Sequence, residues 1–226
     1  MKIGIVIADA FEYNPFCAFA ETRNAVKSVR HGRSCITYTD GDKTVTAVQC
    51  GIGKVNAATA AAFLLAEGCE VILNAGLSGA VSGLLKGDVV AGESFTECDF
   101  DLRAIGRALG EKPDQPSVFY ADKHLLALAD SLDGVKRAKL GTGDVFLSDK
   151  ERAKTFHQLF GIHAFDMETA AIASVCTFEK VPFLSLRKIS DNADDAATDD
   201  YREMNDRQEM DLTLLLAQII KKIESF

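Results

Sequence analysis

Apolar runs with the period of a strand alternate along this chain with segments of helical period, and that alternation restricts the fold more than any other feature. Residues 2–8 form a continuous apolar run, the pattern of a strand buried on both faces. Residues 16–28 carry a helical pattern that reaches Arg30-His31-Gly32, which reads as a helix stop. Cys35-Ile36-Thr37-Tyr38-Thr39 and Thr44-Val45-Thr46-Ala47-Val48 flank Asp40-Gly41-Asp42-Lys43 and predict a hairpin. Lys54 to Glu67 is Ala-rich and helical, with Gly68 ending it, and Val71-Ile72-Leu73 predicts a short buried strand running into a glycine-rich turn. Beyond Gly87-Asp88-Val89-Val90 an extended segment runs to about Cys98, then a polar loop to Pro116. Helices are predicted near 122–132, 148–159 and 167–178, and strands near 136–141 and 181–187. Leu212, Leu216, Ile219, Ile220 and Ile223 share one face of a closing helix.

Strands alternating with helices, plus one hairpin, imply an α/β fold with a mixed sheet covered on both faces. No linker or repeat divides residues 1–226, and that length fits one large domain better than two small ones. No apolar run approaches the ~20 residues of a membrane span, and Asp9 and Glu12 follow the first run too closely for a signal peptide. The net charge of −8, without any basic run interleaved with aromatics, excludes a nucleic-acid surface. The six cysteines are scattered without a C-x-x-C pair or a histidine at ligand spacing. They read as reduced thiols of a cytoplasmic protein, and no metal site is expected. The four histidines are isolated from one another, and none reads as a catalyst.

Ligands on such sheets bind beyond the carboxyl ends of the strands, and Glu12, Asn74-Ala75-Gly76, Glu168 and Asp191 each follow a predicted strand. Phe165-Asp166-Met167-Glu168-Thr169-Ala170-Ala171 sets a Met-Glu pair at a strand end, where a sugar can be gripped. Ile189-Ser190-Asp191-Asn192-Ala193-Asp194 supplies a second carboxylate at the end of the next strand. With Glu12 as a third, such acids can protonate a leaving group and activate water, which is the equipment for cutting a glycosidic bond. Gly51-Ile52-Gly53-Lys54-Val55-Asn56 joins a strand to a helix and reads as a structural turn or a phosphate site at a helix N-terminus. It completes neither a Walker A loop nor the dinucleotide fingerprint.

These motifs, with Gly87-Asp88-Val89, Asp99-Phe100-Asp101 and Gly143-Asp144-Val145-Phe146, resemble in order those of the purine nucleoside phosphorylase and uridine phosphorylase superfamily. The similarity is greatest to its hydrolytic branch, the 5′-methylthioadenosine/S-adenosylhomocysteine nucleosidases. That resemblance implies a single three-layer α/β/α domain of the nucleoside phosphorylase kind, a nucleoside substrate with water as co-substrate, and no cofactor. It also implies a homodimer in which a neighbouring subunit closes the 5′ side. By position, Glu12 matches the residue that orients and deprotonates the water, and Asp191 the acid that protonates N7 of the purine, helped by Ser190. Glu168 matches the carboxylate on the ribose hydroxyls, with Met167 packing beside the sugar. Phe146 and Leu147 fall where the base is stacked and read, Tyr201 where an aromatic packs over the 5′ side, and Ala75 and Gly76 in the glycine loop at the substrate.

Phosphorylases of the superfamily carry a Gly-Asp-Pro segment with a nearby Arg, an Arg before the glycine loop and a Ser within it. Here the corresponding positions hold Asn74 and Leu77, and residues 9–30 lack the Gly-Asp-Pro segment. Without guanidinium forks a phosphate dianion has little to hold it, so water is the expected nucleophile. Asp9, Leu77, Asp166 and Asn14-Pro15 depart from the family pattern. They leave open a phosphate-dependent phosphorylase, a hydrolase of another purine nucleoside such as futalosine, and a nucleoside-binding protein without catalysis.

Overall fold

Strand β1 (Lys2–Ile7) is buried from Ile3 onward because it runs between two parallel neighbours, β4 (Lys43–Gln49) and β5 (Val71–Ala80). The computed structural model describes residues 1–206 and 212–224, and residues 207–211 and 225–226 lie outside the description. On the β4 side the sheet continues antiparallel through β3 (Arg33–Asp40) and β2 (Val26–Arg30). On the other side β5 pairs in parallel with β10 (Phe183–Asp191), and β10 pairs antiparallel with β6 (Val89–Glu97). Strand β6 also carries β7 (Val118–Tyr120) and runs parallel to β8 (Val135–Thr142). Strand β8 pairs with β9 (Ala164–Asp166), which returns antiparallel to β5. The five strands β5, β10, β6, β8 and β9 therefore close on themselves, and the β1–β4 side extends from that closure as an open wing.

Seven helices flank this mixed sheet among the described residues: α1 (Ala10–Glu21), α2 (Lys54–Ala66), α3 (Lys123–Asp130), α4 (Lys150–Phe160), α5 (Thr169–Phe178), α6 (Ala197–Asp206) and α7 (Thr213–Lys222). Helix α2 packs on α5, and α7 touches both α1 and α3. The expected α/β/α fold with a mixed central sheet is the one observed. Its core joins Ile5 and Ile7 of β1, Phe16 of α1, Leu64 of α2, Ile72 of β5 and Leu216 of α7. Truncating one of these leucines to alanine costs about 2–5 kcal/mol.

Four local readings change. The first helix spans 10–21 where 16–28 was expected, and residues 26–30 are a strand. His31 and Gly32 both take left-handed φ, 48° and 74°, so Gly32 turns a tight hairpin and stops no helix. Strand β5 runs ten residues, through the supposed glycine turn to Ala80. Strand β9 ends just before Met167-Glu168, where a strand end was expected, whereas strand β7 and helix α6 were not anticipated.

Candidate active site

Asp9 starts α1 as its N-cap, and Glu12 sits three residues on, the spacing of a capping box. The Asp9 carboxylate accepts from the Phe11 amide at 2.7 Å, and Glu12 Oε2 accepts from the Asp9 amide at 3.2 Å. The other oxygen, Oε1, accepts from the Leu77 amide on β5 at 2.7 Å. Helix and strand thus fix both oxygens of Glu12, which still lines the cleft. Burial, with Glu168 adding to it against Arg187, raises the Glu12 pKa to about 7. A carboxyl poised there changes charge near neutrality, as a general base requires.

Across the cleft, the turn after β9 presents Met167 and Glu168. Asp166 builds that turn: its Oδ1 accepts from the Glu168 and Thr169 amides at 2.9 and 2.8 Å and from the Thr142 hydroxyl at 3.0 Å. Glu168 Oε1 accepts from the Gly53 amide at 3.1 Å, and Oε2 lies 3.4 Å from Nη2 of Arg187. Burial pushes the Glu168 pKa up while Arg187 pulls it down.

Arg187, on β10, is 1% exposed. Burial works against its charge, yet Asp166, Glu168 and Glu12 together hold its pKa above the usual value. Its nitrogens are committed to the Thr169 hydroxyl at 2.6 and 3.1 Å and the Leu77 carbonyl at 3.1 Å. A Cβ at Gly76 would stand 2.5 Å from Arg187 Nη1 and 3.0 Å from Glu12 Oε1. Gly76 is therefore glycine for close approach within an extended strand.

Asp191 ends β10 and is 2% exposed. Burial pushes its pKa up, opposed by hydrogen bonds from the Ser190 hydroxyl at 2.6 Å and the Ala193 amide at 2.8 Å. A Cβ at Gly79 would lie 2.6 Å from Asp191 Oδ1, so this glycine also makes room for a site acid. After β8, Val145, Phe146 and Leu147 form the facing wall, and Phe146 meets Tyr201 of α6 edge-on with ring centroids 5.8 Å apart.

These walls form an open cleft. It brings together Glu12, Phe146, Leu147, Met167, Glu168, Ser190, Asp191 and Tyr201, eight of the ten residues singled out from the sequence. Ala75 and Gly76 do not line it: they lie behind Glu12, around a small void with Phe16, Leu212, Thr213 and Leu216. Leu77, Ser78 and Gly79, further along the same strand, line the cleft itself. Sequence reading missed Arg187, which no motif around it marked. It also missed the capping box at Asp9 and Glu12, whose D-x-x-E spacing was available. Among the described residues, no cluster of three or more His, Cys, Asp or Glu side chains suits a metal ion.

The family model described as the phosphorylase superfamily matches residues 2–221. The 5′-methylthioadenosine/S-adenosylhomocysteine nucleosidase of Shewanella piezotolerans is 32% identical over 232 residues, covering 99% of this chain and all of that protein. The Helicobacter pylori nucleosidase of the same name, solved with butyl-thio-DADMe-Immucillin-A, superposes with a TM-score of 0.94 at 26% identity, over 99% of both chains. A futalosine hydrolase mutant from the same species gives a TM-score of 0.93 at 26% identity, over 99% of this chain and 100% of that one.

Proposed function

Because the chain belongs to the phosphorylase superfamily, we infer from its cleft that it is a purine nucleosidase, hydrolysing the N-ribosidic bond of an adenine nucleoside. The reaction class follows from the acids. Adenine leaves badly as an anion, and protonated Asp191 supplies the proton at N7 that lets it depart neutral. Its burial favours that protonated form. Glu168 holds the ribose hydroxyls and, with Glu12, stabilises the positive charge that develops on the sugar. Glu12, ionised, takes the proton of the attacking water as the new C–O bond forms. Met167 packs beside the sugar, and Phe146 and Leu147 hold the base.

One observation carries hydrolysis over phosphorolysis: among the described residues, none that lines the cleft is Lys, Arg or His. The nearest guanidinium, Arg187, is committed to Thr169, Leu77 and Glu168. Asn74 Nδ2 donates to the Val6 carbonyl at 2.9 Å, and its Oδ1 accepts from the Ser185 hydroxyl at 2.7 Å. A phosphate dianion would enter with no fork to receive it.

The lead substrates are 5′-methylthioadenosine and S-adenosylhomocysteine, on the strength of the nucleosidases to which the chain is similar. Incubation with 5′-methylthioadenosine should release adenine and free methylthioribose at the same rate with and without phosphate. Phosphate-dependent release of a sugar phosphate would replace this reading with a phosphorylase. The finer parts of the proposal are one domain, a cytoplasmic location consistent with six free thiols, a place in purine and methionine salvage, and a homodimer. Exposed Phe11, Ile52 and Val55 support the last, and a sedimentation mass of two chains in ultracentrifugation would bear it out.

A further inference from the structure

The sequence Gly51-Ile52-Gly53-Lys54-Val55-Asn56 left two uses open, a structural turn or an anion site at a helix N-terminus. Its first amides turn out to be occupied by two carboxylates of this chain. Helix α2 opens on Gly53, whose φ of 100° suits glycine and which brings no side-chain cap. A helix start leaves amide donors without partners inside the helix. Here the Gly53 amide donates to Glu168 Oε1 at 3.1 Å, and the Lys54 amide to Asp144 Oδ1 at 2.8 Å. Glu168 is the carboxylate proposed to hold ribose. Asp144 directly precedes Val145, Phe146 and Leu147, the wall proposed to hold the base. Consecutive amides of one helix end therefore grip both halves of the nucleoside site.

A second connection runs through Asp99. Its Oδ1 accepts from the Lys54 ammonium at 2.7 Å and its Oδ2 from the Asp144 amide at 2.8 Å. Glu97 also accepts from Lys54, at 3.2 Å, and pairs with Lys112. At the root of the wall, the Gly143 amide donates to the Asp166 carbonyl at 3.1 Å. A single tie there would let the wall pivot, and Asp144 and Asp99 supply the others. Close approach is built in: a Cβ at Gly53 would stand 3.1 Å from Asp144 Oδ1, and one at Gly143 would stand 3.0 Å from Asp99 Cγ. Asp144 itself is exposed, so its bond acts as helix caps do, by satisfying an orphan amide.

We propose that Asp144 is a positioning residue: braced by Asp99, it sets the spacing between the base wall and Glu168 that one nucleoside has to span. The proposal rests on the nucleosidase reading. Base and ribose belong to one ligand until the bond between them breaks. An error in the spacing of their two holders therefore falls on the orientation of that bond. A plain helix cap would act on stability alone, whatever the ligand.

The test compares wild type, Asp144→Ala and Asp144→Asn on adenosine and on 2′,3′-dideoxyadenosine, which offers Glu168 no hydroxyl to hold. It follows turnover and calorimetric binding of each, and binding of free adenine. On adenosine, Asp144→Ala should lose about tenfold to a hundredfold in kcat/KM, the scale of a small misplacement. Asp144→Asn, whose amide oxygen caps as well as a carboxylate, should recover most of that loss. On dideoxyadenosine wild type and Asp144→Ala should agree, and adenine should bind both equally. A loss of the same size on both nucleosides would overturn the proposal, as would a lowered melting temperature with unchanged kinetics. Weaker adenine binding would make Asp144 a support of the wall alone and also overturn it, and so would an asparagine variant no better than the alanine one. If Asp144→Ala does not fold, Asp144→Glu, which keeps an acceptor on a longer arm, takes its place with the same expectations. Should wild type cleave neither nucleoside, the nucleosidase reading fails and calorimetry decides the spacing role. Adenosine affinity lowered by Asp144→Ala with adenine affinity kept supports it; unchanged adenosine affinity, or no binding, overturns it.

Discussion

Glu12 carries two duties that pull against each other. As a capping-box residue it belongs to α1, and as the proposed base it must be an anion where burial disfavours one. Its folded pKa, about 7, stands above the usual 4.5, so the folded state holds the proton more tightly than the unfolded chain. The stabilisation from that proton is complete below about pH 4.5 and is lost as pH rises through about 7. Glu12→Gln cannot ionise, so its stability relative to wild type should rise by about 2–3 kcal/mol between pH 4 and pH 8. Denaturant titrations at the two pH values read this directly, and a flat difference would show that Glu12 titrates normally. The same variant should lose about a hundredfold or more in turnover while still binding nucleoside, as a positioned general base implies. Near-wild-type turnover would remove Glu12 from the mechanism. The sequence revealed this residue and Asp191 because an acid after an apolar strand is a readable sign. Arg187 was hidden for the opposite reason: it sits inside a strand, where a lone arginine reads as a surface position until a structure shows three carboxylates around it.

Strand β5 shows how an element can be misread when its residue types are read only for local conformation. Asn74-Ala75-Gly76-Leu77-Ser78-Gly79-Ala80 has the composition of a turn, yet all seven residues are in the strand. Neither Gly76 nor Gly79 is among the positive-φ glycines. What they provide is the absence of a side chain where Arg187, Glu12 and Asp191 press against the strand. That requirement is tertiary, and periodicity carries no trace of it. Gly76→Ala should therefore destabilise the fold by about 1–3 kcal/mol and displace Glu12 and Arg187, with activity falling further than stability. A thermal melt paired with kcat on the folded fraction separates the two effects. An alanine variant of full activity would mean that the guanidinium has slack, against the crowding described. The helices were easier to foresee: α2, α3, α4 and α7 fall where their apolar spacing and caps put them, because those signals are local.

Over the whole molecule, the two acids impose opposite demands on pH. In the proposed reaction Glu12 works ionised, so kcat/KM should climb tenfold per unit below about pH 7 and level off above it. Asp191, as the proposed acid, works protonated, so the rate should fall as pH rises past its own raised pKa. The product is a bell-shaped profile, and Glu12→Gln should erase its acidic limb. An acidic limb that survives in that variant would assign the ionisation to another group. The closure of β5, β10, β6, β8 and β9 bears on how such a site can move. A hoop has no loose end from which to fray, so parting any one of these strands means breaking two seams at once. Amide protons of these five strands should then be among the last to exchange with solvent, beneath a cleft where the Phe146 and Tyr201 rings meet edge-on.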